Sequence, residues 1–355
     1  MASGKFVNKT LYLGNLLLSI FVFSGCFVKK ATKSIDPPPP QVEKSYYSKS
    51  AYVTGTNYNA FDLKNAKFEN VQLYFATKTG YIVPYTIKIP CSKDKFKECL
   101  NYMVKKGPGE KLIPKDFQCV LPENTKVLSF KITNGKAIVD FSKEFLNYSR
   151  DMETKILSAI TWSLTEFDNI KEVDIKVLGK DLRFMPKSKT KAYGLTRKMG
   201  INLETPSGVD ISSSIPVTLY FLAQNSLNEN YFVPVTRLIQ RPKNIGEAVL
   251  KELIKGPSLY SNLVSVVTNT LKVNKVLTND TVAMADFDEQ LLEYSDEKKA
   301  SKMAINSIVL SLTENTRTKK VKITVNGKKD LYLSGSNKTL VQPVLRPVKV
   351  NPSGF

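Results

Sequence analysis

The residues best suited to chemistry in this chain are acidic side chains that recur in pairs. The members of each pair lie in similar sequence surroundings in the two halves of the chain. The three pairs are Glu98 with Glu247, Asp140 with Asp286, and Glu166 with Glu314. Two carboxyl groups about 5 to 10 Å apart across a cleft could hydrolyse a glycosidic bond, for example in peptidoglycan. Carboxylate catalysis is therefore the enzymatic hypothesis that this sequence offers.

The composition narrows that chemistry. The 355 residues contain no histidine, which excludes Ser–His and Cys–His nucleophile pairs, histidine metal sites and histidine pH switches. The sequence also has no glycine-rich phosphate loop and no nucleophile elbow. Each acidic residue recurs in both halves, as structural residues of a duplicated fold would. We therefore expect a structural role for all six acids, no enzyme activity, and no catalytic, cofactor or metal residue.

The N-terminus predicts export. Lys5 and Lys9 precede an apolar run over residues 11–23, which is too short for a membrane span and typical of a signal peptide. The run ends in Phe-Ser-Gly-Cys26 and resembles the lipobox of bacterial lipoproteins, with Phe23 where leucine is usual. We predict a signal peptide over residues 1–25 and lipidation, including palmitate, at Cys26. The alternative is an ordinary cleaved signal with an incidental cysteine.

A tether and a strong positive charge follow. Residues 26–65 form the predicted tether, and four consecutive prolines at 37–40 favour an extended polyproline II spacer. The formal net charge of the chain is +20, which suits anionic lipid, wall polymer or an acidic protein. Nucleic acid is not expected as a partner, because the chain is predicted to be exported.

An internal repeat organises the remaining chain. It predicts a first module at 66–186, a basic connector at 187–214, a second module at 215–335 and a C-terminal tail at 336–355. The connector and the tail could each bind a partner or simply pack as linker. The repeated blocks are 71–75 and 217–221, 83–86 and 233–236, 106–108 and 255–257, 140–141 and 286–287, 163–166 and 311–314, and 173–179 and 321–327.

Periodicity within each module predicts the order ββαββαβ. Alternating apolar residues indicate strands, and spacings of three and four residues indicate two helices per module. The first helix of each module is expected to end at a Gly-Pro pair, Gly107-Pro108 or Gly256-Pro257. The fold class is therefore α+β: a tandem repeat with helices packed on a mixed, mostly antiparallel sheet.

The elements suggest a structural place for each acid. Glu98 and Glu247 are expected in the middle of solvated helices. Asp140 and Asp286 end strands, where they can accept backbone hydrogen bonds from a turn. Glu166 and Glu314 are expected near helix C-termini, the less favourable end of a helix for an acidic side chain.

Three cysteines lie beyond the predicted lipidation site: Cys91, Cys99 and Cys119. One disulfide could form outside the cytoplasm and would leave one thiol over. The alternative is that they pack as small hydrophobic residues.

The ordered blocks resemble the GerM family of spore-forming bacteria, lipoproteins with two GerMN modules. The resemblance covers residues 65–345, is stronger in the second copy, and rests most on residues 233–236, 255–257, 306–315 and 321–328. It implies sporulation and germination, a location on the outer face of the cell membrane, and protein partners in a complex between mother cell and forespore. We therefore predict a non-catalytic, membrane-anchored assembly or scaffold factor. The alternatives are a peptidoglycan-binding module and a hydrolase of the spore wall.

Overall fold

The computed structural model describes residues 67–204, 211–292, 299–335 and 339–351. The predicted signal peptide, Cys26 and the proline-rich tether lie outside the described residues. No helix within the described ranges is long and apolar enough to cross a membrane.

The first module begins with a long β-hairpin and ends with a helix followed by a parallel strand. Its elements are β1 (Phe68–Thr77), β2 (Ile82–Pro90), α1 (Lys95–Asn101), β3 (Phe117–Gln118), β4 (Val127–Thr133), β5 (Lys136–Phe141), α2 (Glu153–Leu164), β6 (Glu172–Val177) and β7 (Lys180–Asp181).

The second module repeats the order ββαββαβ, although its additional short strands differ from those of the first module. Its elements are β8 (Ser214–Gln224), β9 (Asn230–Gln240), α3 (Ile245–Lys255), β10 (Val273–Thr278), β11 (Val282–Phe287), β12 (Lys299–Ala300), α4 (Lys302–Asn315), β13 (Lys320–Val325), β14 (Tyr332–Leu333) and β15 (Val344–Leu345).

Each module has a hairpin sheet and a four-stranded mixed sheet. The short β3 joins the first hairpin, and β12 pairs with β14 in a small parallel sheet of the second module. The hairpins pair β1 with β2 and β8 with β9. The mixed sheets have the orders β4-β5-β6-β7 and β10-β11-β13-β15. Only the central pair of each mixed sheet is parallel, and it is joined through helix α2 or α4, as a parallel connection requires. The prediction of a tandem α+β repeat with mostly antiparallel strands is confirmed.

Both modules contribute to one continuous hydrophobic core. Helix α2 packs on β1 and β6, and helix α4 packs on β8 and β13. Leu164 and Leu312 are fully buried at equivalent positions of these helices, as their periodicity predicts. The two repeats therefore form one body over the described residues.

The predicted end of the first helix is wrong. Helix α1 ends at Asn101, well before Gly107, whereas α3 ends next to Gly256 as expected. In the first module the N–H of Leu121 donates to the carbonyl of Met103, and the N–H of Lys105 donates to the carbonyl of Leu121. This long-range pairing takes the chain out of the helix.

The connector and the tail cross between the two hairpins, each held by one asparagine. The N–H of Ile82 donates to Asn202 Oδ1 over 2.7 Å, and Asn202 Nδ2 donates to the carbonyls of Ile82 and Pro234, both over 2.7 Å. Asn202 thus joins β2 of the first module to β9 of the second.

Asn351 repeats this arrangement with the modules exchanged. The N–H of Phe232 donates to Asn351 Oδ1 over 2.8 Å, and Asn351 Nδ2 donates to the carbonyls of Phe232 and Pro84, both over 2.8 Å. We call Asn202 and Asn351 the asparagine clasp. Because each asparagine serves both hairpins, the connector and the tail act as packing segments where they are described.

Candidate functional site

The repeated Ser-Leu-Thr-Glu block lies where the two modules meet. Ser163 Oγ accepts from the N–H of Tyr74 over 2.9 Å, and Ser311 Oγ accepts from the N–H of Tyr220 over 3.0 Å. Each serine therefore fastens a helix to the first strand of its module. The last residue of each block, Glu166 or Glu314, points to a shared group of charges.

Arg197 of the connector joins the two glutamates. Its guanidinium donates to both carboxylate oxygens of Glu314, over 2.9 and 3.1 Å, and to Glu166 over 2.5 Å. It also lies over the ring of Trp162, 4.4 Å from the centroid, where a cation is attracted by the ring quadrupole. One arginine thus crosslinks the modules.

Arg346 of the tail approaches Glu314 from the other side. It donates to Glu314 over 2.6 Å, to the Tyr220 hydroxyl over 3.0 Å and to the Leu310 carbonyl over 3.0 Å. The Tyr220 hydroxyl donates in turn to Glu314 over 3.1 Å. We call the group of Glu166, Arg197, Tyr220, Glu314 and Arg346 the arginine cluster.

The electrostatics of the cluster favour full ionisation. Only 8% of the Glu314 side chain is exposed. Burial opposes its ionisation, but Arg197 and Arg346 outweigh burial and lower the pKa of Glu314 to about 2. Burial lowers the pKa of Arg346, while Tyr220 and Glu314 raise it, and the net result lies above its ordinary value. Glu314 is therefore held as an anion between the guanidinium groups of Arg197 and Arg346.

This arrangement is poorly suited to glycoside hydrolysis. A general acid needs a raised pKa, whereas that of Glu314 is lowered. The space between Glu166 and Glu314 is filled by the guanidinium of Arg197, which hydrogen-bonds to both. What the cluster does is join the modules, the connector and the tail.

The aspartate pair also has the structural place expected for it. Asp140 accepts from the N–H of Gly179 over 3.0 Å. Asp286 accepts from the N–H of Gly327 over 2.8 Å and from the Thr324 hydroxyl. Burial opposes the ionisation of Asp286, but these hydrogen bonds outweigh it and lower its pKa. In both modules the aspartate holds the turn that follows the parallel strand.

The first glutamate pair lies on the first helix of each module, and both side chains are half-buried. Glu98 lies within α1 and is half-buried. Glu247 lies in the first turn of α3, not in its middle, and forms an ion pair with Lys251 over 2.7 Å. The mid-helix prediction for Glu247 is thus wrong. Of the three recurring acidic pairs, Glu166 and Glu314 are the pair that the structure brings together.

The cysteines beyond the tether are free thiols. Cys99 and Cys119 are buried, and burial raises the pKa of each thiol to about 12, while Cys91 is exposed. No group of three or more acidic or cysteine side chains that could hold a metal ion occurs within the described part of the chain.

Sequence reasoning identified Arg197 only as one charge of the basic connector and missed Arg346, Asn202 and Asn351. A signal was present: Arg197 follows Glu166 by 31 positions and Arg346 follows Glu314 by 32. Each clasp asparagine then follows its arginine by five positions. The repeat therefore extends into the connector and the tail.

Comparison with known proteins agrees with this architecture. The sequence matches the Germane family, described as "Sporulation and spore germination", over residues 72–183 and 218–331. It is 36% identical over 361 residues to spore germination protein GerM of Bacillus subtilis (strain 168), covering 96% of each chain.

Solved structures match as well. The tandem GerMN domains of the sporulation protein GerM from Bacillus subtilis align with a TM-score of 0.75 at 38% identity, covering 80% of this chain and 99% of that chain. The first GerMN domain of the same protein aligns at 39% identity over 37% of this chain and 98% of that chain, with a TM-score of 0.36.

Proposed function

Because the chain belongs to the Germane family of sporulation and spore germination proteins, we propose that it acts by binding, as a non-catalytic lipoprotein. Its lipid anchor is Cys26, and it lies on the extracytoplasmic face of the cell membrane, in the intermembrane space during sporulation. There it serves as an assembly or scaffold factor for an envelope-spanning complex of mother cell and forespore.

The observation that carries this proposal is the use of the recurring acids. Glu166 and Glu314 are bound by Arg197, and Asp140 and Asp286 hold turns. Acids that are already committed to structural partners are poor candidates for acid–base chemistry. A body in which two modules are locked together can instead present neighbouring surfaces to a multi-subunit partner.

The basic charge supports a binding role with acidic partners. The net charge of +20 favours association with acidic protein surfaces and makes that association weaker at high salt. Peptidoglycan, which also carries acidic groups, is the second ligand to test.

The test is crosslinking and pull-down of the full-length protein from sporulating cells. We expect membrane proteins of the envelope complex to be captured at low salt and lost at high salt. Vegetative cells and the Cys26→Ala variant are the controls, and the variant should also leave the membrane fraction. Membrane fractionation of Cys26→Ala that matches the wild type would contradict the proposed anchor.

A second assay addresses the alternatives. The soluble protein is incubated with purified cell wall, and both retention and muropeptide release are measured. Muropeptide release that disappears in Glu166→Gln would replace the binding proposal by a hydrolase. Glu166→Gln is preferred to Glu314→Gln because Glu166 is less buried, so the fold tolerates the change better. Retention on wall without any membrane partner would favour the peptidoglycan-binding module.

A further inference from the structure

The two modules differ sharply on the outer faces of their four-stranded sheets. In the first module this face balances its charges. Lys136 forms ion pairs with Glu172 over 2.7 Å and with Asp174 over 3.2 Å. Lys176 forms an ion pair with Asp181 over 3.0 Å. The seven charged residues of this face are three bases and four acids: Lys131, Lys136, Lys176, Asp140, Glu172, Asp174 and Asp181.

Register places lysines in the second module where the first has acids. Val173 and Val321 occupy matched positions of β6 and β13, so Lys320 replaces Glu172 and Lys322 replaces Asp174. Lys320 lies beside Val282 and Leu345, and Lys322 lies beside Met284. The same substitution of base for acid occurs twice on one strand.

Within the described residues these lysines form no ion pair, although Asp286 lies opposite Lys275 in the strand register. No described carboxylate lies within ion-pair distance of Lys275, Lys320 or Lys322, and the Lys322 ammonium donates to the Val341 carbonyl. The acid on the face is Asp286, whose carboxylate accepts from Thr324 and the Gly327 N–H. Three lysines thus face one aspartate, and the described residues of this face carry a net positive charge.

Apolar side chains project between the lysines. Leu277 and Met284 are direct cross-strand partners, exposed by 50% and 44%, and Leu345 beside Lys320 is 67% exposed. The opposite face of the same strands is buried in the core. We call the surface of Lys275, Leu277, Met284, Lys320, Lys322 and Leu345 the basic face.

We propose that the basic face binds the surface of an anionic phospholipid membrane. Lysine stems can lie along apolar surface while their ammonium groups reach phosphate headgroups, and exposed leucine and methionine can enter the headgroup boundary. Protein interfaces are depleted of lysine, whereas each basic residue near an anionic leaflet strengthens binding by about fivefold. The composition of the face thus favours lipid over an acidic protein.

The proposal rests on the proposed membrane location, because only there does the face meet lipid. It adds an orientation: the second module turns its mixed sheet to the membrane, and the balanced face of the first module stays free. Cys26 takes no part in this contact, so the two can be tested apart.

The test is flotation of residues 67–355 with vesicles. This part contains the whole described core and lacks Cys26, and a solved structure of the tandem GerMN domains of GerM from Bacillus subtilis aligns with 80% of this chain. Vesicles of phosphatidylcholine alone are compared with equal parts of phosphatidylcholine and phosphatidylglycerol. We expect binding only to the anionic vesicles, and its loss at high salt. Equal binding to both vesicles, or to neither, overturns the proposal.

Matched variants locate the contact. Lys320→Glu with Lys322→Glu should weaken binding by at least about 25-fold, since each lysine contributes about fivefold. Lys131→Glu with Lys171→Glu makes the same change of charge on exposed lysines of the first module and should have a much smaller effect. Equal losses of vesicle binding in the two variants would show that net charge alone explains the binding. That result would overturn the proposal that the basic face is the contact. Thermal melting of each variant confirms that it is folded.

Discussion

Glu166 and Glu314 end two copies of the same block, yet their surroundings differ. Glu314 is 8% exposed and contacts both Arg197 and Arg346, whereas Glu166 is 26% exposed and contacts Arg197 alone. Tyr220 exchanges hydrogen bonds with Glu314 and Arg346, while no described residue hydrogen-bonds the buried hydroxyl of Tyr74.

This difference shows that the two copies are symmetric within each module but not at the junction between the modules. Contacts within one module recur faithfully, such as the serine that holds a strand and the aspartate that holds a turn. At the junction, one guanidinium must serve both modules, so the two glutamates cannot have identical surroundings. The second copy consequently carries the larger share of the buried charge.

The largest difference in the free energy of unfolding is expected between the variants Glu314→Gln and Glu166→Gln. Removing one partner of a buried ion pair leaves charge uncompensated and costs about 3 to 5 kcal/mol. We expect a loss of this size for Glu314→Gln, because Glu314 is the acid that forms the ion pair with Arg346. Glu166→Gln should cost about 1 kcal/mol, as for partly exposed pairs. Urea unfolding measures both, and equal losses would refute the asymmetry.

Low pH should reproduce the loss of stability predicted for Glu314→Gln in the wild-type protein. The folded pKa of Glu314 is about 2, below its ordinary value of 4.5. Between these values the unfolded chain binds more protons, so the stabilisation is complete above about pH 4.5 and is lost as the pH falls toward 2. The stability gap between the wild type and Glu314→Gln should therefore narrow over this range. A gap that stays constant in urea titrations at several pH values would show that Glu314 does not titrate there.

The two tyrosines give a smaller contrast. Tyr220→Phe removes a hydroxyl that bonds two charged groups, and hydrogen bonds to charged groups contribute about 1.5 to 3 kcal/mol. Tyr74→Phe removes a buried hydroxyl without a described partner and should be neutral or stabilising. Thermal unfolding measures the stability that each variant loses. Equal losses for Tyr74→Phe and Tyr220→Phe would contradict this prediction.

The first helices give the smallest contrast. Asn244 Oδ1 accepts from the Glu247 N–H over 3.2 Å and caps α3, whereas the side chain of Asp94 makes no capping bond to α1. Asn244→Ala should cost about 1 kcal/mol. Asp94→Ala should stay within about 0.5 kcal/mol of the wild type. Denaturant midpoints measure the difference, which would vanish if α1 were capped in solution.

The repeat, the element order and the core helices were predictable because they rest on local periodicity. Leu164 and Leu312 lie where their spacing places them. The end of α1 was not predictable, because Val104 and Leu121 pair over a distance in sequence that no local pattern records.

The site was predictable only in part. Glu166 and Glu314 drew notice because their block returns unchanged. Arg197 was noted only as one charge of a basic segment, and Arg346 was missed, because their short surroundings, Leu-Thr-Arg and Val-Leu-Arg, share little beyond the arginine. Their importance comes from where two distant segments meet, which residue types alone do not specify.

The asparagine clasp has a consequence for the order in which the chain is completed. Asn351 bonds to Pro84, 267 positions earlier, and the N–H of Val350 donates to Gln72, 278 positions earlier. Synthesis proceeds from the N-terminus, so the first hairpin waits for residues 350 and 351 to emerge before these contacts are complete. Such long sequence separation slows folding. Loss of Val350 and Asn351 would therefore first remove contacts of the hairpin that begins the fold.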